Sequence, residues 1–255
     1  MSGALYQPLD RSVLFYSCKT GCTFLSKCPR CHQGRCGCEG DSVRFGEHLD
    51  LEVHDLADVD CFRAVVRDPV ERAISAFQHC ILRLYFPDRR EKFLSDDAGD
   101  SHWQCGELEH VHSWRTQHER ELQRYLVGEH PTDIVELYVD FVDQLLPKLM
   151  QHNCHFKPQL NEWYIQQHLH LAELWVTPKL TVEMQTHYPQ VNWQRRSTHR
   201  GGWYFNISRE RFYDAIVHRI YLLYPEDFAL YDRAVEENLQ KYPALRKTRL
   251  NTLCY

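Results

Sequence analysis

Two short apolar runs, each followed at once by a polar stretch, dominate the pattern of this chain. Residues 12–16 read Ser-Val-Leu-Phe-Tyr and residues 61–66 read Cys-Phe-Arg-Ala-Val-Val, and such β-branched and aromatic runs predict two buried strands. Residues 18–23 follow the first run and residues 67–77 follow the second. Strands that lead into polar loops and then into helices are typical of α/β folds.

The first polar stretch contains Lys19, Thr20, Gly21, Cys22 and Thr23. Glycine lets backbone N–H groups approach a phosphate closely, a following helix N-terminus adds its positive end, and lysine supplies a point charge. These residues therefore predict an anion-binding loop. The loop is not a Walker A sequence, because no glycine stands five residues before a Gly-Lys-Ser/Thr tripeptide.

The second polar stretch marks the start of a helix. Asp68 can cap a helix whose first residue is Pro69, and Glu71 completes a pair like that of a capping box. Arg67 then stands at the C-terminal end of the second strand, and Ser75 stands two turns into the helix. Open α/β sheets bind their ligands in the crevice at that end of the strands, so both residues are candidates for ligand binding.

Together the two stretches resemble the PAPS-dependent sulfotransferases, in particular the carbohydrate sulfotransferase branch often called family 2. In that family a Lys-x-Gly-Cys-Thr loop holds the 5′-phosphosulfate, and an Arg-Asp-Pro-x-x-Arg-x-x-Ser segment holds the 3′-phosphate. The matching segments here are residues 19–23 and 67–75. Two weaker likenesses lie at residues 152–159 and 224–231, which resemble the family's Asn-x-His-Trp-x-Pro-Gln segment and its C-terminal helix.

The resemblance implies a fold, a donor and a set of site residues. The fold is an α/β fold with a P-loop-like parallel sheet flanked by helices, in a single domain covering residues 1–255. The donor is PAPS, used without a metal and released as PAP. Lys19 would neutralise the charge that grows on departing PAP, and Arg200 would close over the 3′-phosphate, with a solvated basic turn as the alternative for Arg200. The implied PAPS-binding residues are Lys19, Thr20, Gly21, Cys22, Thr23, Arg67, Ser75 and Arg200.

The same resemblance implies that a histidine or carboxylate takes the proton of the acceptor hydroxyl. His48 and His54 lie between the two PAPS motifs, in residues 46–60, a segment that predicts either a short strand or an irregular helix. His48 is the first candidate for the base, and a generic histidine at the surface or core edge is the alternative for each. The acceptor is a hydroxyl group on a carbohydrate or another small hydroxylated molecule, by analogy with the family alone.

A cysteine-rich insertion at about residues 28–38 interrupts the helix expected after the first loop. Cys28, Cys31, Cys36 and Cys38, here called the cysteine cluster, stand among a proline and two glycines. Four thiolates at this spacing can bind one Zn²⁺, although zinc frameworks usually separate their two ligand pairs more widely. The alternative is a loop of free or disulfide-paired cysteines. The chain has 11 cysteines, an odd number, so complete disulfide pairing is excluded.

Composition narrows the class of protein. The chain has 255 residues, of which 43% are hydrophobic and 25% charged, and this suits one α/β domain with a sizeable core. The formal charge is -5, so nucleic acid is not an expected partner. The sequence has no run of about 18 apolar residues and no signal-peptide pattern at its N-terminus. We expect a cytoplasmic protein, or one of the Golgi lumen if an N-terminal anchor was removed.

The rest of the chain is expected to form packing elements. Predicted helices cover residues 69–85, with Arg72 away from the buried side, and about 107–127. Residues 173–177 predict a further strand. Pro225 is expected to open the last helix, because proline suits the first helical position.

Two other functions are compatible with these motifs. A P-loop kinase acting on a small molecule would need Mg²⁺ ligands, and it would bind ATP in a way that PAP does not displace. A non-catalytic interaction protein on the same scaffold, stapled by zinc at the cysteine cluster, would keep the fold and lose turnover.

Overall fold

A computed structural model describes residues 3–7, 10–17, 47–49, 56–77, 105–126, 134–151, 155–189 and 209–243. The chain divides into two compact units. The sheet unit comprises Met1–Arg67, Gln159–Arg200 and Ala229–Tyr255, and the helical unit comprises Asp68–Pro158 and Gly201–Phe228. The single-domain organisation stays a prediction. No helix in the described ranges combines the length and the hydropathy that a membrane span requires.

The described residues of the sheet unit form a five-stranded sheet. The strands are β1 Gly3–Gln7, β2 Ser12–Tyr16, β3 Glu47–Leu49, β4 Cys61–Val66 and β5 Glu173–Val176. Their order in the sheet is β3-β1-β2-β4-β5. β2, β4 and β5 run parallel, whereas β1 pairs antiparallel with both β2 and β3. The strands predicted for β2, β4 and β5 are confirmed. The antiparallel strand β1 was not predicted.

Helices make up most of the remaining described chain. They include a π-helical turn at Phe141–Leu145 and a 3₁₀ turn at Thr177–Lys179, directly after β5. The helix starts predicted at residues 69 and 225 are confirmed. The single helix expected at about 107–127 is instead two helices that meet at His118, where no glycine or proline gives a local stop signal. The helices are α1 Pro69–Ala76, α2 Cys105–Gln117, α3 Glu119–Leu126, α4 Ile134–Asp140, α5 Leu146–Leu149, α6 Trp163–Leu169, α7 Leu180–His187, α8 Arg209–Leu223 and α9 Pro225–Asn238.

Alternate residues of the parallel strands are buried on opposite faces of the sheet. Phe15, Ala64 and Val176 belong to a cluster completed by apolar residues of α6 and α9. Val65 and Trp175 belong to a second cluster, completed by residues of α7. Both faces of the sheet are therefore packed, as is usual for parallel sheets, whose strands consequently consist of nearly continuous apolar runs.

An aromatic cluster forms the core of the helical unit. Phe77, Tyr138 and Phe141 are buried, and their ring centroids lie 4.6 to 5.7 Å apart. Trp114 meets Phe77 edge-on at 6.4 Å, an arrangement that the ring quadrupoles favour. Burial raises the pKa of Tyr138. This core holds the C-terminal end of α1, the helix that begins two residues after Arg67.

Candidate functional site

The chain passes from β4 to α1 at Arg67 and Asp68, where the sequence predicts a 3′-phosphate site. Asp68 is the N-cap of α1, and its Oδ1 accepts a hydrogen bond from the backbone N–H of Glu71 at 3.0 Å. Pro69 is the first helical residue. The hydroxyl of Tyr213 donates to the other carboxylate oxygen of Asp68 at 2.9 Å. The predicted cap is confirmed, and α8 supplies a second contact that fixes it.

The backbone of Arg67 is paired with a side chain. Arg67 lies beyond the last residue pairs of both parallel ladders, which are Phe15 with Ala64 and Val66 with Val176. Its N–H donates to Gln159 Oε1 at 2.9 Å, and its carbonyl accepts from Gln159 Nε2 at 2.8 Å. The side-chain amide therefore continues the pairing that the strand loses at its end.

Ser75 lies in the last turn of α1. It is half-buried, whereas its neighbours Ile74 and Ala76 are buried. Arg67 and Ser75 thus occupy the strand end and the helix turn that the sequence predicts for them. Their binding of a 3′-phosphate stays a prediction.

The burial of Arg72 corrects a prediction made from the sequence. It was expected away from the buried side of α1, yet it is 2% exposed. Its guanidinium donates to the carbonyl of Lys157, lies 3.5 Å from the carboxylate of Asp227 and is stacked over the ring of Tyr224. A buried arginine needs such partners, because an unpaired charge in the protein interior is costly. Arg72 is therefore part of the packing of the helical unit.

The predicted base His48 lies in β3, at one edge of the sheet that the described strands form. Its backbone is in register with Leu5 of β1. Neighbouring strands lie about 4.8 Å apart, and one strand separates β3 from β2, so the two backbones are roughly 10 Å apart across the sheet. β2 leads directly into the predicted anion-binding loop. The role of His48 as base stays a prediction.

Several predicted site residues lie outside the described residues. They are Lys19, Thr20, Gly21, Cys22, Thr23, the second histidine candidate His54, Arg200, and the cysteine cluster Cys28, Cys31, Cys36 and Cys38. Their assignments to PAPS, to proton transfer and to zinc stay predictions.

One group of potential metal ligands occurs within the described ranges, and none of its members belongs to the cysteine cluster. Ligand atoms of Glu173, Glu183 and His187 lie within 4.8 Å of one another. Lys241 forms an ion pair with Glu183, and Arg63 Nε lies 3.7 Å from Glu173. Two cations thus already balance the two carboxylates, and the group is consistent with an internal charge cluster.

A buried network that the sequence did not predict lies at the start of β2 and β4. The guanidinium of Arg63 lies between the rings of Trp175 and Tyr188, 5.4 and 5.5 Å from their centroids. It donates to Asp10 at 2.9 Å and to the Tyr188 hydroxyl, which also contacts the Ser12 hydroxyl at 2.8 Å. Burial raises the pKa of Tyr188 to about 12. The network stabilises the end of the sheet opposite Arg67.

Comparison with known proteins identifies the class of protein. A model of the sulfotransferase family matches residues 47–232, which is more than half of the chain. The chain therefore belongs to the sulfotransferase family. The matched range contains the Arg67–Ser75 motif and begins after Lys19. No curated protein and no solved structure matches the chain.

The family and the structure agree on the fold. The three parallel strands with helices packed on both faces form the α/β sheet of a sulfotransferase. The resemblance drawn from the two motifs is confirmed, and family membership indicates a transferase of sulfuryl groups with a hydroxyl acceptor.

Proposed function

We propose that this protein transfers a sulfuryl group from PAPS to a hydroxyl group of a carbohydrate or another small hydroxylated molecule. The observation that supports it best is the position of Arg67, at the end of a central parallel strand and directly before a capped helix. Open α/β sheets bind their ligands at this end of the strands. The family membership makes a sulfuryl donor the ligand of choice.

The described residues around Arg67 suit the 3′-phosphate of PAPS. Gln159 pairs with both backbone groups of Arg67, and the part of Arg67 that this proposal assigns to the ligand is its guanidinium. A guanidinium binds a phosphate through paired, charge-assisted hydrogen bonds. In the proposed site Arg67 and Ser75 bind the 3′-phosphate, and Arg200 closes over it. This contact selects PAPS over ATP, which has no 3′-phosphate.

Residues 19–23 bind the other end of the donor in this proposal. Backbone N–H groups of Thr20, Gly21 and Cys22, with the Thr23 hydroxyl, hold the 5′-phosphosulfate. Lys19 lies against the bridging oxygen. PAPS, when bound, supplies the activated sulfuryl group.

In this proposal, side chains of the protein accept the proton of the acceptor hydroxyl and stabilise the charge that develops on PAP. His48, or His54 in its place, accepts the proton of the acceptor hydroxyl as the acceptor oxygen bonds to sulfur. The bond between sulfur and the bridging oxygen breaks, and the electron pair stays on PAP. Lys19 stabilises the charge that grows on that oxygen, which is the position where a fixed positive group lowers the barrier.

A thermal-shift comparison of PAP, ADP and ATP tests the proposal. Ligand at about 100 Kd adds roughly 2.7 kcal/mol to the free energy of unfolding, and PAP should do so at far lower concentration than ADP. Loss of a charge-assisted hydrogen bond costs about 1.5–3 kcal/mol, so Arg67→Ala should weaken PAP binding roughly 10- to 150-fold. Arg219→Ala, which removes an exposed arginine of α8, is the matched control and should keep the wild-type shift.

The other outcomes are equally informative. Equal stabilisation by ADP and PAP would contradict a 3′-phosphate site. Stabilisation by ATP that PAP does not displace would indicate a kinase instead. PAP binding without sulfation in a screen of hydroxylated acceptors with PAPS would indicate a non-catalytic protein on this fold.

A further inference from the structure

The end of β4 is fixed by side chains from distant parts of the chain. The last ladder pair of β4 joins Val66 to Val176. The Thr177 hydroxyl donates to the carbonyl of Val66 at 2.9 Å, and the Gln159 amide pairs with the N–H and the carbonyl of Arg67 at 2.9 and 2.8 Å. Three successive backbone groups are thus held just where the strand becomes a loop.

A glutamine is chemically suited to this position. Its amide carries one acceptor oxygen and two donor hydrogens, so a single side chain can satisfy both the N–H and the C=O of one residue. Gln159 is 3% exposed, which protects both hydrogen bonds from competition with water. Removing a buried partner leaves polar backbone groups unsatisfied, and the segment would then move to regain hydrogen bonds.

Fixing the backbone of an arginine matters when its guanidinium must meet a phosphate in one plane. The two hydrogen bonds from Gln159 fix the backbone of Arg67, and with it the point from which the arginine side chain extends. Bidentate contacts depend on such placement, and the loss of one charge-assisted hydrogen bond lowers ligand affinity roughly 10- to 150-fold. The contacts of Gln159 therefore act on the same residue that discriminates PAP from nucleotides without a 3′-phosphate.

We propose that Gln159 is a positioning residue that sets the preference for a 3′-phosphorylated nucleotide by holding the backbone of Arg67. This inference rests on the proposed function, because it assigns Arg67 to the 3′-phosphate. Gln159 touches Arg67 and no part of the ligand in this role. A residue that stabilised only the fold would leave the ratio of PAP to ADP affinity unchanged.

The test measures that ratio by calorimetry on the full chain. Gln159→Met keeps the length of the side chain and removes both hydrogen bonds to Arg67. We expect the ratio of PAP affinity to ADP affinity to fall roughly 10- to 100-fold, as for the loss of one charge-assisted hydrogen bond to the 3′-phosphate, with ADP affinity nearly unchanged. Gln159→Asn, one methylene shorter, cannot reach both groups and should lower the ratio by a smaller factor.

A matched control separates positioning from stability. Asn238 is also a buried amide of the sheet unit that donates two hydrogen bonds to backbone carbonyls, those of Leu174 and Ala234, both at 2.7 Å. Asn238→Leu should lower the melting temperature about as much as Gln159→Met and keep the wild-type affinity ratio. An equal fall of the ratio in both variants would refute the proposal.

A double-mutant cycle shows whether Gln159 acts through Arg67. In the Arg67→Ala background, Gln159→Met should change PAP affinity by less than about twofold. If Arg67→Ala itself keeps the wild-type ratio, the 3′-phosphate site of the proposed function is wrong. If Arg67→Ala lowers the ratio and neither Gln159 variant does, only the positioning role is wrong. Failure of both Gln159 variants to fold would assign Gln159 to the fold alone and would also overturn that role.

Discussion

Substitution of Arg72 provides a direct test of what burial does to an ion pair in this protein. Arg72 and Asp227 are each only 2% exposed, and the nearest atoms of the pair lie 3.5 Å apart. Arg219 and Asp143, also in the helical unit, form a shorter pair at 2.9 Å, but their side chains are 43% and 48% exposed. If distance set the strength of an ion pair, the exposed pair would be the stronger, whereas if burial set it, the buried pair would be.

The expected losses of unfolding free energy for Arg72→Ala and Arg219→Ala differ several-fold. Removing one partner of a buried pair leaves an uncompensated charge and costs about 3–5 kcal/mol. Arg72→Ala also removes the hydrogen bond to Lys157 and the contact with the Tyr224 ring. An exposed pair such as that of Arg219 contributes about 0.2–1 kcal/mol, because solvent screens it. Burial should decide, so we expect Arg72→Ala to be the more destabilising change.

Urea unfolding followed by circular dichroism measures both variants. The midpoint should fall strongly for Arg72→Ala and slightly for Arg219→Ala, at an unchanged slope m. Arg72→Met combined with Asp227→Leu should recover most of the loss, because apolar residues of similar volume often replace a buried ion pair without cost. A loss below about 1 kcal/mol for Arg72→Ala, equal to that of Arg219→Ala, would refute the reasoning.

Four further predictions concern catalysis, metal binding and pH. Lys19→Ala should lower kcat more than PAP affinity, because in the proposed mechanism Lys19 stabilises charge that grows in the transition state. His48→Ala should lower kcat by about 10²–10⁴ with PAP affinity kept; near-normal kcat in both His48→Ala and His54→Ala would exclude both as base. Protein purified without added metal should contain about one zinc per chain if the cysteine cluster binds it, and chelation should then lower stability; four freely alkylated thiols without metal would indicate a plain loop. Burial, with the Arg63 charge second, lowers the pKa of His187 from 6.5. The contribution of neutral His187 to the free energy of unfolding is therefore present above about pH 6.5 and is lost as the pH falls and the ring is protonated. In urea unfolding at several pH values, His187→Gln should lose less stability on acidification than the wild type.

Local signals in the sequence were sufficient for the elements that position Arg67. The apolar runs of β2, β4 and β5 are buried on both faces, so their composition alone indicates strands. Asp68 and Pro69 form a cap whose hydrogen bond lies within one turn of the helix. Interactions of this kind can be predicted because all of the participating residues are close together in the chain.

The features that could not be predicted from the sequence depend on residues far apart in the chain or lack a local turn signal. In the turn between β1 and β2, Arg11 has φ 48°, in the left-handed region where glycine is usual. Because an arginine takes this position, the sequence carries no glycine signal for the hairpin. Arg72 is buried because Asp227, far along the chain, offers a counter-charge. Gln159 was part of a noted likeness, but its partner Arg67 lies 92 residues earlier, and nothing near Gln159 indicates that contact.

The late position of Gln159 and Thr177 has a consequence for synthesis of the chain. Arg67 leaves the ribosome 92 residues before Gln159, and Val66 leaves 111 residues before Thr177. At about 5–20 residues per second, roughly 5–20 s separate the synthesis of Arg67 from the synthesis of Gln159. A nascent chain that ends before residue 159 carries the arginine without the amide that holds its backbone. The end of β4 that carries Arg67 is therefore completed only when Gln159, 92 residues later, has been made.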